Sequence, residues 1–450
     1  MGAGFVESST VTAYPDPASK ASTYRLNVFQ RLMRAWREFG PYNAGQVMTV
    51  QAPLAIAQWE AAARRAIADL GIGVPRFTRD GVTYSAAAPA GVRAHACTLA
   101  EAISYELNQP FGEDELPLRF FTAPAAHGGQ HFGIFYDHWV ADSRSIRNFM
   151  RRIYLAQMDP GLLGGLPPLT LDGPARACPG DALAARGGAS EWWSGVRTYA
   201  RHRRAFRLDI QQPLDFSTGC QLADLPAGLI SQIITASRAW HCSVHDILLA
   251  ALAQCLGEFT AGERYKRRKR PLHPRRDRVA VGTIVDARGR LSPESENVFG
   301  MYLSCFTNVV ARPEAVPLAD LAARLRRQTQ CIKQSGRAAA GGALYQAEFW
   351  WGRHHDRRRR ALLFQKNVPL LAGVSNVNLT GQWMDQAESP GILGYQRVSP
   401  TGPLLPLVFT VTTLGEKVSM CVSYRQAAFE APQVAQIVAD FSRRLQEATR

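Results

Sequence analysis

The sequence predicts a mixed α/β fold of the α+β type, in which strands and helices alternate without a fixed order. Two observations carry this prediction. The chain has 450 residues, of which 46% are hydrophobic, so it can bury a large core divided between two or three domains. Along the chain, the apolar positions change between a period of two, typical of strands, and a period near 3.6, typical of amphipathic helices.

Residues 1–20 are polar and are expected to form an N-terminal tail, and residues 21–185 the first lobe. An Ala-rich segment at 56–70 predicts a helix, and a strand is expected to begin at Val47. An earlier amphipathic helix is predicted from four apolar residues at helical spacing, Phe29, Leu32, Met33 and Trp36.

The Pro- and Gly-rich stretch 161–188 is the best linker candidate, and residues 186–213 are expected to connect the lobes. Residues 214–450 are expected to form the second lobe. Within it, the segment 279–285 is apolar enough to be a central strand. The last elements predicted are a hairpin of the strands 407–413 and 418–424 and a closing helix at 432–445.

The chain carries a net charge of +15, because 52 Lys and Arg residues outnumber 37 Asp and Glu residues. Basic runs at 266–270 and 357–360 are ordinarily solvated surface. They could also meet an acidic carrier protein, the phosphates of coenzyme A or an anionic membrane. Nucleic acid ranks last as a partner, because no known nucleic-acid-binding motif accompanies the charge.

The eight cysteines are scattered without paired spacing, and residues 1–20 lack the apolar block of a signal peptide. These features predict free thiols and a cytoplasmic location. No apolar run approaches the ~18 residues of a membrane helix, so membrane contact is not expected. We expect a monomer.

The segment 131–145 holds the residues that point to chemistry. Apolar residues up to Val140 alternate with period two on both faces, which predicts a buried strand. Helical spacing then begins at Ile146, and Asp142 or Ser143 is a suitable N-cap. His138 therefore leaves the end of a buried strand, and Asp142 lies where a helix starts, a frequent position for active sites.

Two other interpretations of His138 and Asp142 are open from the residues alone. A His at a strand end is often a satisfied structural residue. A metal site is less favoured, because two ligands cannot close a zinc site and no Cys or His cluster supplies the rest. The sequence thus predicts no metal.

The pair, read as H-x-x-x-D, resembles the core motif of the chloramphenicol-acetyltransferase-like superfamily. It is most similar to condensation domains of nonribosomal peptide synthesis, whose signature is H-H-x-x-x-D-G. The resemblance covers residues 24–445. Other segments match in the same chain order: 27–33, 40–44, 243–252, 278–288 with its Asp-x-Arg ending, and 297–300.

Three positions depart from the family pattern. The first His of the doublet is Asp137, the Gly after the motif Asp is Ser143, and Ser304 stands where condensation domains usually carry Asn. The second His and the Asp, which the wider superfamily retains, are both present as His138 and Asp142. The resemblance therefore implies the chemistry of the wider superfamily, and the three departures set the chain apart from condensation domains of peptide synthesis.

The resemblance implies two chloramphenicol-acetyltransferase-like lobes arranged as a V-shaped pseudo-dimer with an active-site tunnel between them. His138 would be the general base for an amine or alcohol acceptor, or would only position it. The N–H of Ser143 would help to hold the oxyanion. Asp142 would pair with Arg288, with Asp137 also supporting the motif.

Ser304, Ser375 and Asn376 are expected to line the tunnel, the latter two in a polar loop near the bridge between the lobes. No permanently bound cofactor is expected. The substrates implied are an acyl-CoA or phosphopantetheine-linked acyl thioester and a small-molecule acceptor, and an acyl or peptidyl carrier protein is a possible partner. The alternative is a catalytically degenerate module that acts in docking.

Overall fold

The computed structural model describes residues 23–78, 81–85, 90–171, 201–264, 276–286, 288, 296–334, 352, 354–383 and 391–448. Several sequence predictions fall elsewhere. The tail at 1–20, residues 186–200 of the predicted connection and the basic run at 266–270 lie outside these described residues.

The first part of the chain forms a sheet with flanking helices. Its elements are β1 (Tyr24–Arg25), α1 (Val28–Trp36), β2 (Asn43–Val50), α2 (Ile56–Leu70), β3 (Pro75–Phe77), β4 (Gly81–Tyr84), β5 (Val92–Ala94), α3 (Leu99–Asn108), β6 (Leu118–Pro124), β7 (Gln130–Asp137), α4 (Ser143–Met158) and α5 (Pro160–Gly165). The two predicted N-terminal helices are confirmed as α1 and α2. The predicted linker starts too early, because Asp159 caps α5 and Pro160 occupies its first turn.

The second part repeats this architecture. Its elements are β8 (Thr218–Asp224), α6 (Leu229–Ala239), α7 (Val244–Arg264), β9 (Arg278–Asp286), β10 (Leu303–Ala311), α8 (Leu318–Gln334), α9 (Arg357–Asn367), β11 (Ala372–Asn378), α10 (Thr380–Trp383), β12 (Ile392–Val398), β13 (Leu407–Leu414), β14 (Lys417–Arg425) and α11 (Ala431–Glu447). The predicted hairpin is confirmed as β13 and β14, and the closing helix as α11.

The first lobe is built on a five-stranded sheet in the order β12-β2-β7-β6-β5. Its strand β7 lies in the middle, paired antiparallel with β2 and β6. Ile134 and Tyr136 on one face and Phe135 on the other are almost fully buried. The prediction of a strand buried on both faces is therefore confirmed. His138, which directly follows β7, consequently lies inside the protein.

The division into sequential lobes is corrected at β12. Ile392–Val398 belongs by position to the second lobe, but it pairs antiparallel with β2 of the first. The strand closes an edge of the first-lobe sheet that would otherwise expose unpaired backbone groups. Residues of β12 therefore reach both lobes.

The second lobe contains a six-stranded sheet in the order β10-β9-β11-β13-β14-β8. The predicted central strand is confirmed as β9, which has neighbours on both sides. One face of the sheet is covered by α7, with Ile247, Leu249 and Leu252 fully buried in that core. By length and composition α7 could cross a membrane, but most of it is buried here as a core helix.

Candidate active site

His138 lies in the turn between β7 and α4. Its backbone N–H donates to the Tyr42 carbonyl at 3.0 Å, which ties the turn to the start of β2. Its ring stacks on Tyr42, with the centroids 5.7 Å apart, and meets the edge of Tyr136 at the same separation. The residue is 8% exposed. The imidazole is therefore held between two aromatic rings with a small opening.

The tautomer of His138 follows from one contact. Its Nδ1 lies 3.2 Å from the carbonyl oxygen of Ala141. A carbonyl oxygen can only accept, so Nδ1 carries the proton and the Nε2 of the neutral ring holds a lone pair. Burial lowers the pKa of His138 to about 4, and the Ala141 carbonyl and the Asp142 charge oppose this only in part. The ring is thus neutral at cellular pH.

Asp142 is fully buried, and both of its carboxylate oxygens accept hydrogen bonds from groups other than His138. Its Oδ1 accepts from the Ser145 N–H at 3.0 Å and so caps α4. Its Oδ2 accepts from Arg288 at 2.5 Å and from the Tyr302 N–H at 2.9 Å. Burial alone would raise the pKa of Asp142, but Arg288 and these donors hold it below its ordinary value.

The ion pair between Asp142 and Arg288 joins the two lobes. Arg288 follows β9 in the second lobe and is 1% exposed. Its second nitrogen donates to the Ser145 hydroxyl at 2.7 Å, and that hydroxyl also contacts the backbone of Gly300 at 3.0 Å. The guanidinium lies over the Tyr302 ring at 4.4 Å. This network fixes the start of α4 against the second lobe.

Asp137, which replaces the first His of the family doublet, is the last residue of β7 and is almost fully buried. Its carboxylate pairs with Arg37 at 3.2 Å. Burial raises the pKa of Asp137 to about 6, although Arg37 acts in the opposite direction. A titratable acid therefore lies beside the turn that carries His138.

Ser143 is the first residue of α4, where a backbone N–H has no partner within the helix. Its carbonyl accepts from the Gln46 side chain at 2.7 Å, and its hydroxyl lies 3.3 Å from the same nitrogen. Arg397 of β12 lies 3.5 Å from that hydroxyl. Ser143 therefore faces β2 and β12, and its side chain is half-buried.

The three expected tunnel residues are distributed over two strands. Ser304 lies on β10 opposite Val285, but its side chain is outside the described part. Ser375 and Asn376 do not form a loop; they belong to β11, whose neighbours on both sides are hydrogen-bonded strands. Adjacent strand residues point to opposite faces.

The two β11 side chains accordingly have different surroundings. Ser375 accepts from Arg397 at 3.1 Å, between the lobes. Asn376 is hydrogen-bonded to Nδ1 of His245 on α7 at 2.6 Å and lines a cleft of about 720 Å³. Ser375 and Ser143 are thus brought to one site through Arg397, and Asn376 is not.

Sequence reasoning did not identify Ser145, Gln46 or Arg397. Ser145 had no signal beyond its place in the motif segment, because the partners of its hydroxyl come from residues more than 140 positions away. Arg397 is a charged residue within the otherwise uncharged segment 392–398. This position could have indicated a buried functional role, but the sequence prediction did not use it. Among the described residues, no group of three His, Cys, Asp or Glu side chains could hold a metal ion.

The sequence matches no family model, and no curated protein sequence matches it. Solved structures are similar over nearly the whole chain. The condensation domain of the monacolin K polyketide synthase MokA has a TM-score of 0.64 at 12% identity, covering 95% of this chain and 97% of its own. The first condensation domain of the calcium-dependent antibiotic synthetase, with a substrate analogue, has 0.65 at 16%, covering 95% and 97%.

A third similar structure is TRI3, the trichothecene 15-O-acetyltransferase of Fusarium sporotrichioides. Its TM-score is 0.65 at 11% identity, and the match covers 95% of this chain and 96% of the other. The chain has the chloramphenicol-acetyltransferase-like fold of condensation domains. In this condensation-domain fold the two sheet-and-helix lobes are the halves of the V-shaped pseudo-dimer, and the motif turn of the first lobe is held against the second.

Proposed function

We propose that the protein is an acyltransferase that moves an acyl group from a thioester to an amine or alcohol. One observation carries the proposal: the hydrogen bond from Nδ1 of His138 to the Ala141 carbonyl leaves the lone pair of Nε2 available as a base, in the turn whose Asp142 pairs with Arg288 of the second lobe. The condensation-domain fold supports the same reaction class by analogy.

In the proposed reaction, the acceptor nitrogen or oxygen attacks the thioester carbonyl carbon while its proton moves to Nε2 of His138. The carbonyl oxygen becomes an oxyanion, which the N–H of Ser143 at the start of α4 can stabilise. The C–S bond then breaks, and His138 returns the proton to the leaving thiolate. Asp142 takes no direct part in this reaction, because its oxygens are already engaged by Arg288 and two backbone donors. Its role is to hold the turn that positions His138.

The low pKa of His138 has two consequences for this reaction. The ring is almost entirely in its neutral, basic form at neutral pH. Its conjugate acid is strong, however, so the proton transfer has to coincide with formation of the bond to the acceptor. Exclusion of water by a bound substrate favours such a concerted step.

The donor is proposed to be an acyl-CoA or an acyl group on the phosphopantetheine of a carrier protein, and the acceptor a small molecule. The purified chain should transfer acyl groups from at least one of these donor classes to an amine or alcohol, measured by release of free thiol. If panels of both donor classes and both acceptor classes give no turnover above the His138→Ala background, the transferase assignment is wrong.

A docking role is the second candidate. Asp137 and Ser143 replace two motif residues, and the low pKa weakens His138 as a base. A docking module would bind a carrier protein without turnover, and its binding would not change in the His138→Ala variant. The assay above, combined with binding of acyl-loaded and unloaded carrier, separates the two functions.

We expect kcat/KM for an alcohol acceptor to stay level from about pH 8 to about pH 5. A His with an ordinary pKa near 6.5 would lose its basic form in this window, whereas the lowered pKa keeps His138 neutral until the pH approaches about 4. The check is a pH–rate profile of the wild type and Asp137→Asn, because Asp137 titrates near pH 6. A fall centred near pH 6.5 that persists in Asp137→Asn would contradict the assignment.

The basic run 357–360 lies at the start of α9 and is only partly available to a donor. Arg357 donates to the Phe39 carbonyl at 2.8 Å, and Arg360 pairs with Glu38. Arg358 and Arg359 are exposed. These two are therefore the candidate contacts of this run for an acidic carrier or for coenzyme A phosphates.

Donor affinity should weaken between about 50 and 300 mM salt, because exposed charges are screened over a length of about 8 Å at physiological ionic strength. Reversing both charges, Arg358→Glu with Arg359→Glu, should weaken binding at low salt and flatten the dependence. Titrations at several salt concentrations measure this, with Arg64→Glu and Arg65→Glu on α2 as the matched control. Equal behaviour of the two double variants would remove this run from donor binding.

A further inference from the structure

Two arginines are buried where α4 and β12 meet the second lobe. Arg147 lies on α4, one turn after Ser143, and is 5% exposed. Arg397 lies on β12 and is 3% exposed. Burial, together with the nearby charge of Arg147, lowers the pKa of Arg397 to about 10, and burial also lowers the pKa of Arg147. Arginine side chains in proteins stay protonated, so both carry a positive charge.

Among the described residues, every hydrogen-bond partner of Arg397 is a neutral oxygen. Its nitrogens donate to the hydroxyl of Thr412 at 3.2 Å, the hydroxyl of Ser375 at 3.1 Å and the Val411 carbonyl at 3.1 Å. Further contacts go to the Ser375 carbonyl and, at 3.5 Å, to the Ser143 hydroxyl. These contacts orient the guanidinium, but none of them neutralises its charge.

Arg147 has still fewer contacts. Within the part of the chain that the structure describes, it makes no hydrogen bond or ion pair, and its Nε is buried without a partner. The groups that act on it in the direction of an acid are Tyr395, Asp142 and Asp286. Burial raises the pKa of the Tyr395 phenol, so that side chain carries no charge at neutral pH. Asp142 is saturated by Arg288 and backbone donors, and Asp286 pairs with Arg144 and Arg288. The positive charge of Arg147 is therefore not compensated by a paired acid.

Two unneutralised charges in one buried site are costly, because each loses hydration and each repels the other. A protein gains nothing in stability from this arrangement, whereas an anionic ligand would turn it into a favourable one. We infer that Arg147 and Arg397, with the hydroxyls of Ser143 and Ser375, form a binding site for a carboxylate of the substrate, an inference that rests on the proposed transferase function.

A carboxylate fits the site better than a phosphate. The terminal nitrogens of Arg147, for which no hydrogen bond is found among the described residues, can bind a planar carboxylate through paired N–H donors. Arg397, whose N–H groups are already engaged, adds its positive charge. The two half-buried hydroxyls can donate to the remaining lone pairs of the carboxylate. A phosphate is bulkier and carries more charge into a site of which only a few per cent is exposed. The protein would accordingly select an acyl donor or acceptor that bears a carboxylate near the reacting atoms.

The test is calorimetric binding of small probes to the full chain, which needs no turnover. Propionate should bind saturably, propionamide should not, and Arg147→Met should weaken propionate binding at least tenfold. The matched control is Arg144→Met on the same helix, since Arg144 already has Asp286 and Glu296 as partners. Because Arg147→Met removes an uncompensated charge, its melting temperature should equal or exceed that of the wild type.

If Arg147→Met does not fold, Arg147→Lys keeps the charge but lacks the paired donors and should weaken propionate binding to a smaller extent. Unchanged affinity in a folded Arg147 variant overturns the inference, as does a wild type that binds inorganic phosphate but not propionate, or neither. Saturable, Arg147-dependent propionate binding in a protein without acyl transfer would instead refute the proposed function and leave the carboxylate site standing.

Discussion

Replacement of His138 by Ala is expected to lower kcat for acyl transfer by about 10²–10⁴-fold, the usual contribution of a positioned general base. The fold should survive, because the turn is held by the Asp142 network and by the backbone bond to Tyr42 rather than by the imidazole. Turnover and melting temperature should be measured on the same preparation.

His131 offers a matched control for this experiment. It lies on the same strand, β7, and its Nδ1 contacts the Thr49 hydroxyl at 2.9 Å, near the opposite end of the strand from His138. His131→Ala should keep turnover close to the wild-type value. Near-normal turnover in a folded His138→Ala variant would remove His138 from the mechanism.

Replacement of Asp142 by Ala should reduce the free energy of unfolding by about 3–5 kcal/mol and reduce activity as well. The main reason is that the guanidinium of Arg288 would stay buried without its carboxylate partner. Loss of the N-cap of α4 adds about 1 kcal/mol. Urea denaturation measures the change.

The contribution of Asp142 also has a defined pH dependence. Its folded pKa lies below the ordinary value of 3.8, so its stabilisation is complete above about pH 4 and is lost as the pH falls through the folded pKa. A double-mutant cycle with Arg288→Ala should give an interaction energy of about 1–3 kcal/mol. Additive effects of the two changes would show that the pair does not stabilise the protein.

Much of the fold follows from local patterns in the sequence. The limits of α2, the hairpin of β13 and β14 and the closing helix α11 were predictable because each depends on its own periodicity and turn chemistry. Asp142 as a helix N-cap is equally local, since its Oδ1 accepts from an N–H three residues later. The resemblance supplied what these patterns lack, namely the pairing of Asp142 with a residue as distant as Arg288.

Other features were decided only by the tertiary structure. The sequence pattern of β12 cannot specify which sheet it joins, because that depends on the free edge of β2 more than 340 residues away. The polar segment at Ser375 looks like a loop, but it forms an inner strand whose polar side chains have partners within the protein. Ser375 contacts Arg397, and Asn376 contacts His245 on the opposite face.

The sequence by itself thus predicted the helices α1, α2, α4 and α11, the strands β2, β7, β9, β13 and β14, and the candidate pair His138 and Asp142, whose signals lie within a few residues of each other. It did not determine the environment of that pair. The tautomer of His138 is set locally by the Ala141 carbonyl. Its low pKa and the uncompensated charges of Arg147 and Arg397 arise from burial by elements distant in the chain. Desolvation depends on everything that packs around a group, so only the assembled lobes could set these properties.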